Sequence, residues 1–406
     1  MANGQHFSIL QNQQQQITLM LILIFFILMF MVSPVFSFFG LIVFFSLIRI
    51  DERLVRFLFA MLALISGTAI YASRFVHPVD LGGDDFSNQY YPLFKSLSSG
   101  ESIFSSKFGG GVEFGLAAIY KVISLFNPSA TYWEIFFIVS FFCVFLYYIW
   151  FERFIVPKLS GSDITLCLAS ALLFFGFFIT TQLIRQALSS VFILFSLSYL
   201  SEGDRKKGYI CCIIGCVFHI TALPFVFLFY QIMHGKKKTK IFIIGCFIAF
   251  GVLFSVFLGF MSSGAISSII ASKFLYYNQN TDSGVLSAYY WKILLILCVA
   301  YFFFSKRNDG NDTYKSLLYY GTIIYICLIN IPFASDRTLM VLVIFYLGIV
   351  VYHAFYKIKH VYVLIIIALS IYRALTLGPY YDTNCHDAAL CLWSSYPWYG
   401  ALLYTQ

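Results

Sequence analysis

Charged residues are scarce in this chain. Asp, Glu, Lys and Arg make up 11% of its 406 residues, whereas a soluble globular protein has about a quarter. Hydrophobic residues make up 60% of the sequence and aromatic residues 20%. No segment has the charge content of a soluble domain, so we predict an integral membrane protein that folds as a single transmembrane domain over residues 1–406.

Several motifs of soluble enzymes are also missing. The sequence contains no Gly-rich phosphate loop, no HExxH zinc motif, no serine nucleophile elbow and no CxxC pair. It shows no internal repeat, and its start lacks the basic segment and cleavage site of a secretory signal peptide. We therefore expect neither a cofactor nor a metal site.

Basic residues indicate on which side of the membrane each loop lies. The net charge of +8 comes largely from short clusters between apolar runs, and Lys and Arg favour the cytoplasmic side. This makes the charge a topology signal, and we expect no nucleic-acid partner. The six clusters placed inside are Arg49/Arg53/Arg56, Arg153/Lys158, Arg205/Lys206/Lys207, Lys236/Lys237/Lys238/Lys240, Lys306/Arg307/Lys315 and Lys357/Lys359.

This arrangement predicts an all-α polytopic fold with about 13 transmembrane helices. The apolar run 17–48 is too long for one crossing of about 20 residues, so it is interpreted as two helices with a turn at Ser33–Pro34. Residues 208–233 lie between two basic clusters, which predicts a broken helix pair that meets near residues 218–221. The amphipathic stretch 112–127 is interpreted as a short outer helix, re-entrant or interfacial. The remaining predicted spans are residues 54–71, 131–151, 163–181, 184–200, 241–260, 291–304, 316–332, 338–355 and 360–376.

Three segments are left for the outer side of the membrane: residues 73–111, 261–290 and the tail 377–406. Cys385 and Cys391 fall in that tail, and in an oxidising compartment they could form a disulfide. The other cysteines lie in or near apolar spans and are interpreted as small packing residues.

Three arginines lie at the predicted outer ends of apolar helices, against the positive-inside trend. They are Arg185, Arg337 and Arg373. The planar guanidinium group matches phosphate oxygens, so convergence of these helix ends predicts a diphosphate-binding site. The alternative is that each arginine extends to lipid headgroups, or pairs locally as Arg337 can with Asp336.

The first outer segment contains further candidates. Asp84 and Asp85 are adjacent carboxylates that could act as a general base, and Tyr90 and Tyr91 could stack on sugar faces. The alternative for the acidic part is a solvated turn, because Gly-Gly-Asp-Asp is a common turn composition. Glu113 follows a glycine-rich turn, where it is a candidate substrate contact or simply a carboxylate at a helix N-terminus.

His219 lies at the predicted break between two half-length helices. Broken helices at membrane depth often line binding sites. Its ring could hydrogen-bond a substrate hydroxyl or accept a proton near neutral pH. The alternative is a core histidine, which is the commoner role of a single histidine in an apolar run.

The order of these features resembles that of the Wzy/EpsG-type polymerases of bacterial surface polysaccharides. The matching run consists of Ile184-Arg185-Gln186-Ala187-Leu188, the basic turn Asp204-Arg205-Lys206-Lys207, and Phe218-His219-Ile220-Thr221-Ala222-Leu223. The family shows a similar order of Arg-Gln, basic turn and Phe-His. The outer loop with Tyr90-Tyr91, Glu113-Phe114 and Asp336-Arg337 also fits.

The resemblance implies a polymerase of O-antigen or a similar polysaccharide in the bacterial plasma (inner) membrane, with its active site facing the periplasm or outside. Its partners would be a polyprenyl-diphosphate-linked oligosaccharide donor and acceptor within the membrane lipid. The resemblance leaves open whether a chain-length regulator protein is a further partner. An acceptor hydroxyl attacks the anomeric carbon, and polyprenyl diphosphate leaves without help from a metal.

The resemblance also suggests roles for the candidate residues. The groups expected to stabilise the leaving diphosphate are Arg185, Arg337 and Arg373; those expected to orient or deprotonate the acceptor are Asp84, Asp85 and His219; and those expected to contact the substrate are Tyr90, Tyr91, Glu113 and Gln186. Two alternatives remain at this point: a polytopic single-sugar glycosyltransferase that uses a lipid-linked donor, and a non-enzymatic flippase for lipid-linked oligosaccharides.

Overall fold

The computed structural model describes residues 2–73, 85–104, 111–262, 287–305, 312–329, 331 and 334–376. Every regular element in these ranges is helical and none is a strand, which confirms the all-α prediction for the described residues. Within these ranges, four helices are long and apolar enough to cross a membrane: Arg53–Ala72, Tyr132–Lys158, Ile184–Ser201 and Tyr356–Thr376. Shorter apolar helices accompany them, and the chain is a membrane protein. The number of crossings stays a prediction, and Cys385 and Cys391 lie outside the described residues.

The chain divides into two compact units. The first comprises Met1–Leu188 and Val363–Gln406, and the second comprises Ser189–Tyr362. The elements of the first unit are α1 (Ala2–Val32), α2 (Pro34–Leu47), α3 (Arg53–Ala72), α4 (Tyr91–Ser98), α5 (Gly115–Phe126), α6 (Tyr132–Trp150), α7 (Ser162–Leu173), α8 (Phe177–Gln182), the start of α9 (Ile184–Ser201) and residues 363–376 of the last helix. Within this unit α2 packs on α3 and α7, α6 packs on α3 and α8, and α4 packs on α5.

The second unit begins within α9. It continues through α10 (Arg205–Phe218), α11 (Ala222–His234), α12 (Lys237–Ser262), α13 (Ser287–Phe304), α14 (Asp312–Cys327), α15 (Ala334–Thr338) and α16 (Leu347–Ala354), and it includes the start of α17 (Lys359–Thr376). Helix α14 packs against α11, α12 and α13. Leu317, Leu318 and Ile324 on α14 are fully buried in these contacts.

The predicted turn at Ser33–Pro34 is confirmed. Ser33 has an extended backbone (φ −154°, ψ 110°), and its side chain accepts a hydrogen bond from the backbone N–H of Phe36. Pro34 occupies the first turn of α2, where a helix needs no N–H donor. The turn therefore satisfies the backbone at the start of a new helix within one long apolar run.

Residues 163–181, predicted as one span, form two helices, so the prediction of one continuous helix is corrected. Helix α7 ends at Leu173 and α8 begins at Phe177. The break lets the Phe177 ring pack face to face with Tyr71 at 5.5 Å and edge-on to Phe38 at 5.3 Å. A Cβ atom on Gly67 would lie 2.8 Å from the Phe177 ring, so glycine there leaves room for it.

Part of the segment predicted as the first outer loop is also helical. A π-helical turn at Phe86–Tyr90 leads directly into α4. Phe86, Tyr90, Leu93, Phe94 and Leu97 are buried at helical spacing along it. The polar residues between them concealed this pattern, so the helix within the predicted outer segment 73–111 was missed; the outer placement of that segment stays a prediction.

The broken helix pair at 208–233 is confirmed. Helix α10 ends at Phe218, His219 has an extended backbone (φ −154°, ψ 122°), and α11 begins at Ala222. Pro224 has no N–H to donate, which is tolerated in the first turn of α11. Phe218 stacks on Phe192 at 5.5 Å, which fixes the end of α10 against α9 in the second unit.

A buried ion pair joins α3 to the end of α6 in the first unit. Arg56 Nε and Nη2 donate to the two carboxylate oxygens of Glu152 at 2.8 and 2.9 Å. Arg56 Nη1 also donates to the carbonyls of Ile50 and Asp51. All three nitrogens of this guanidinium are hydrogen-bonded, and Arg56 belongs to a cluster predicted to face the cytoplasm, so its role is structural.

Candidate active site

The centre of the candidate site is an ion pair between Glu113 and Arg185 in the first unit. Arg185 Nη1 donates to Glu113 Oε2. The exposed fraction is 5% for the Glu113 side chain and 20% for the Arg185 side chain. A carboxylate buried to this extent needs a partner because desolvation penalises its charge. The Arg185 side chain is thus the more exposed member of the pair.

Local structure places both charges. Glu113 lies two residues before the start of α5, after a turn in which Gly111 has a φ of +90°. A Cβ atom on Gly111 would lie 3.0 Å from the carbonyl oxygen of Phe104, so this turn requires glycine. Arg185 is the second residue of α9, directly after the break at Leu183. The pair therefore joins the starts of two helices.

Aromatic residues form one wall of this site. The Arg185 guanidinium carbon lies 6.0 Å from the centre of the Tyr90 ring, at the limit of a cation–π contact. Tyr90 is 5% exposed. Tyr120 on α5 is fully buried and packs edge-on against Phe94 at 5.8 Å, four residues after Tyr90. Tyr120 was not among the residues predicted from the sequence, because a tyrosine in an amphipathic helix gives no signal that separates a site from a core.

The remaining candidates of the outer segment are distributed differently. Asp84 lies outside the described residues, whereas Asp85 is exposed at the start of the π-helical turn. Tyr91 packs edge-on against Tyr132 at 4.3 Å and faces Lys95 Nζ at 4.6 Å. Gln186 is buried beside Arg185 at the start of α9. Of the two tyrosines, the structure brings Tyr90 to Arg185.

Asp336 and Arg337 lie in the second unit, on the five-residue helix α15. The Tyr325 hydroxyl at the end of α14 donates to Asp336 Oδ1 at 2.6 Å. Burial raises the pKa of Asp336, and the Tyr325 hydrogen bond offsets part of that shift. The hydrogen bond from Tyr325 therefore holds Asp336, and with it α15, against the end of α14.

His219 also lies in the second unit, at the break between α10 and α11. Its backbone N–H donates to Gly215, and its carbonyl accepts from the N–H of Ala222 and from the Ser189 hydroxyl. The side chain is half-buried. The backbone of His219 thus holds the break, and the role of its ring stays a prediction.

Arg373 has a structural contact in the first unit. Its Nη1 donates to the carbonyl of Leu173 at 3.3 Å. Leu173 is the last residue of α7, where the helix dipole favours a cation. Arg373 therefore stabilises a helix C-terminus, and its binding to diphosphate stays a prediction.

Two other features bear on the chemistry of the site. Among the described residues no group of three or more His, Cys, Asp and Glu side chains has a metal-binding arrangement; the metal-independent reaction stays a prediction. A cavity of about 850 Å³ between α1, α2 and α17 is lined mainly by apolar side chains such as Phe25, Met29 and Ile371, with Ser33 and Ser370. That lining holds no ionisable group for catalysis.

A family model connects this site to known proteins. The model of the EpsG family matches residues 79–378, well over half of the chain. The chain belongs to the EpsG family. The matched range includes Tyr90, Glu113, Arg185, His219 and Arg337. No curated protein and no solved structure matches the chain.

Membership of the EpsG family agrees with the predicted Wzy/EpsG-type resemblance. It indicates a membrane protein with a polysaccharide polymerase-type function, which is a glycosyltransferase-type activity. The match begins shortly before the π-helical turn and ends just after α17. The family match thus includes all of the second unit and part of the first.

Proposed function

We propose that this EpsG-family protein joins polyprenyl-diphosphate-linked oligosaccharide repeat units into a surface polysaccharide at the outer face of the plasma membrane. The observation that carries this proposal is the partly buried Arg185, held by Glu113 and faced by Tyr90. An arginine oriented by a carboxylate, beside an aromatic wall, suits a ligand that combines phosphate groups with sugar rings.

The reaction forms one bond and breaks one bond. An acceptor hydroxyl oxygen bonds to the anomeric carbon of the growing chain, and the bond from that carbon to the diphosphate oxygen breaks. The electron pair leaves with the polyprenyl diphosphate, and the hydroxyl proton passes to a base. His219, Asp84 and Asp85 are the groups proposed for that base.

The role of Arg185 follows from where charge develops. Negative charge grows on the departing diphosphate, so a donor fixed in advance stabilises the transition state more than the ground state. A guanidinium has five N–H donors in a planar fork, so Glu113 can orient one side while another serves a phosphate oxygen. Arg337 and Arg373 are proposed, from the sequence alone, as further donors to diphosphate oxygens.

The first prediction concerns these arginines. Arg185→Ala and Arg337→Ala should each lower polymer formation by about 100- to 1,000-fold, the range for loss of one preorganised donor. The measurement is gel sizing of surface polysaccharide from a deletion host that carries each variant, with immunoblots for membrane levels. Single repeat units in place of long chains are the expected result.

The matched control is Arg205→Ala, which removes an exposed arginine at the start of α10. Long chains should persist in this variant. Long chains from both Arg185→Ala and Arg337→Ala would rule out the diphosphate site. Loss of all outer repeat units from the deletion host, single units included, would instead support a flippase.

A further inference from the structure

The hydroxyl group of Tyr120 is buried in the first unit but contributes no hydrogen bond to the described fold. The residue is 0% exposed. Its hydroxyl has no hydrogen-bond partner among the residues that the structure describes. A buried hydroxyl without a partner lowers stability, and phenylalanine would fill almost the same volume without that cost. The hydroxyl at this position therefore calls for a functional explanation.

The ring of Tyr120 is held in place. It packs edge-on against Phe94 of α4 at 5.8 Å and an interplanar angle of 86°. The next residue, Lys121, donates from Nζ to the carbonyl of Leu97 at 2.8 Å, which ties α5 to the end of α4. Because the ring cannot swing to another partner, its hydroxyl is preorganised in one position.

That position lies beside the candidate active site. Side chains of a helix lean towards its N-terminus, so Tyr120 leans back towards the start of α5, where Glu113 lies. Phe94, on which the Tyr120 ring packs, lies four residues after Tyr90, and the Tyr90 ring faces Arg185 at 6.0 Å. The Tyr120–Phe94 and Tyr90–Arg185 contacts connect the unused hydroxyl to the Glu113–Arg185 pair within one unit.

We propose that the Tyr120 hydroxyl donates a hydrogen bond to a diphosphate oxygen of the lipid-linked substrate, beside Arg185. This inference rests on the proposed function. A ligand oxygen supplies the acceptor that the fold leaves out, and a neutral donor next to a guanidinium adds a hydrogen bond without adding a charge. Tyr120 is then a substrate-binding residue whose hydroxyl costs stability in the free protein and is satisfied when substrate binds.

The test is Tyr120→Phe in the full-length protein reconstituted in lipid nanodiscs. Without ligand its Tm should equal or exceed that of the parent protein, because the substitution removes an unsatisfied group. Polymerisation of lipid-linked repeat units should fall by about 10- to 100-fold, the loss expected for one buried hydrogen bond. The rise in Tm on adding geranylgeranyl diphosphate should also be smaller than in the parent.

Tyr148→Phe is the matched control. Tyr148 is another buried tyrosine, but its hydroxyl donates to Glu152 at 2.9 Å. This variant should show the reverse pattern, with a lower Tm and unchanged activity per folded molecule. A structural role and a substrate-binding role thus give opposite signatures for the same chemical change.

Two outcomes would overturn the inference. A lower Tm for ligand-free Tyr120→Phe would show that the hydroxyl has a structural partner. Normal polymerisation and a normal response to geranylgeranyl diphosphate would show that substrate does not use it. If Arg185→Ala is inactive in the same assay, only the role of Tyr120 falls; if Arg185→Ala is fully active, the proposed function falls with it.

Discussion

At the residue scale, the Glu113–Arg185 pair couples stability to function. The two residues are 72 positions apart in sequence, and each charge compensates the desolvation of the other. Removing one partner leaves the other charge partly buried and unpaired. Removing both leaves no charge to compensate, so stability and activity should respond differently to single and double substitutions.

We predict that Glu113→Gln destabilises the protein by about 1–3 kcal/mol and lowers polymerisation by about 10-fold or more, because Arg185 loses its charge partner and its orientation. The double variant Glu113→Gln/Arg185→Met should recover stability but remain inactive. Thermal unfolding in nanodiscs and the polymer assay measure the two effects. A double variant that polymerises normally would contradict the assigned role of the pair.

At the element scale, the break between α10 and α11 depends on a close helix approach. A Cβ atom on Gly215 would lie 3.1 Å from the Ala222 Cβ and 3.5 Å from the Ser189 carbonyl oxygen. The backbone N–H of His219 donates to the carbonyl of Gly215, so the position of the histidine follows that of the glycine. A larger side chain at residue 215 would therefore displace the helix break and His219 together.

Gly215→Leu should consequently reduce polymerisation by at least about 10-fold, because a side chain forced into this contact displaces the packed backbone. Gly245→Leu on α12 is the matched control, since nothing lies within 4 Å of a Cβ atom at that glycine. It should retain activity. Equal activity of the two variants, compared at equal membrane levels, would show that the geometry of the break does not matter.

Two elements differ from the sequence predictions for the same physical reason. The break between α7 and α8 and the helix at 86–98 both depend on aromatic side chains, Phe177 and Phe86, that pack against helices distant in sequence. The hydropathy of the sequence shows that such residues are apolar, but it does not predict which helices they pack against. The Ser33–Pro34 and 218–221 breaks were predictable, because a capping serine, prolines and basic clusters mark them locally.

At the scale of the whole molecule, the distribution of Lys and Arg predicts which loops face the cytoplasm. Ser129 lies exposed in the connection between α5 and α6, which is predicted outside. Arg205 lies exposed at the start of α10, which is predicted inside. These two described positions test the topology without reference to the outer loops.

We predict that Ser129→Cys reacts with a membrane-impermeant maleimide in intact spheroplasts, whereas Arg205→Cys reacts only after permeabilisation. The parent for both is a variant with its native cysteines replaced, because several of them are only partly buried. Mass shift on a gel measures the labelling. The reverse labelling pattern would show that the predicted topology is inverted and would place the Glu113–Arg185 site on the cytoplasmic side.

The sequence by itself determined the membrane class, the helical nature of the described residues and two of the helix breaks. These depend on composition and on neighbours along the chain, which act whatever the tertiary packing is. It also singled out Glu113, Arg185 and His219 as candidates, since charged residues in an apolar chain need a reason.

Only the tertiary structure decided which of these groups meet. The pairing of Glu113 with Arg185, the position of Tyr90 beside them and the unused hydroxyl of Tyr120 arise from packing between helices far apart in sequence. Which side chains meet across such sequence distances depends on which buried surfaces fit together and which charges must be compensated. Neither can be deduced from the local sequence pattern.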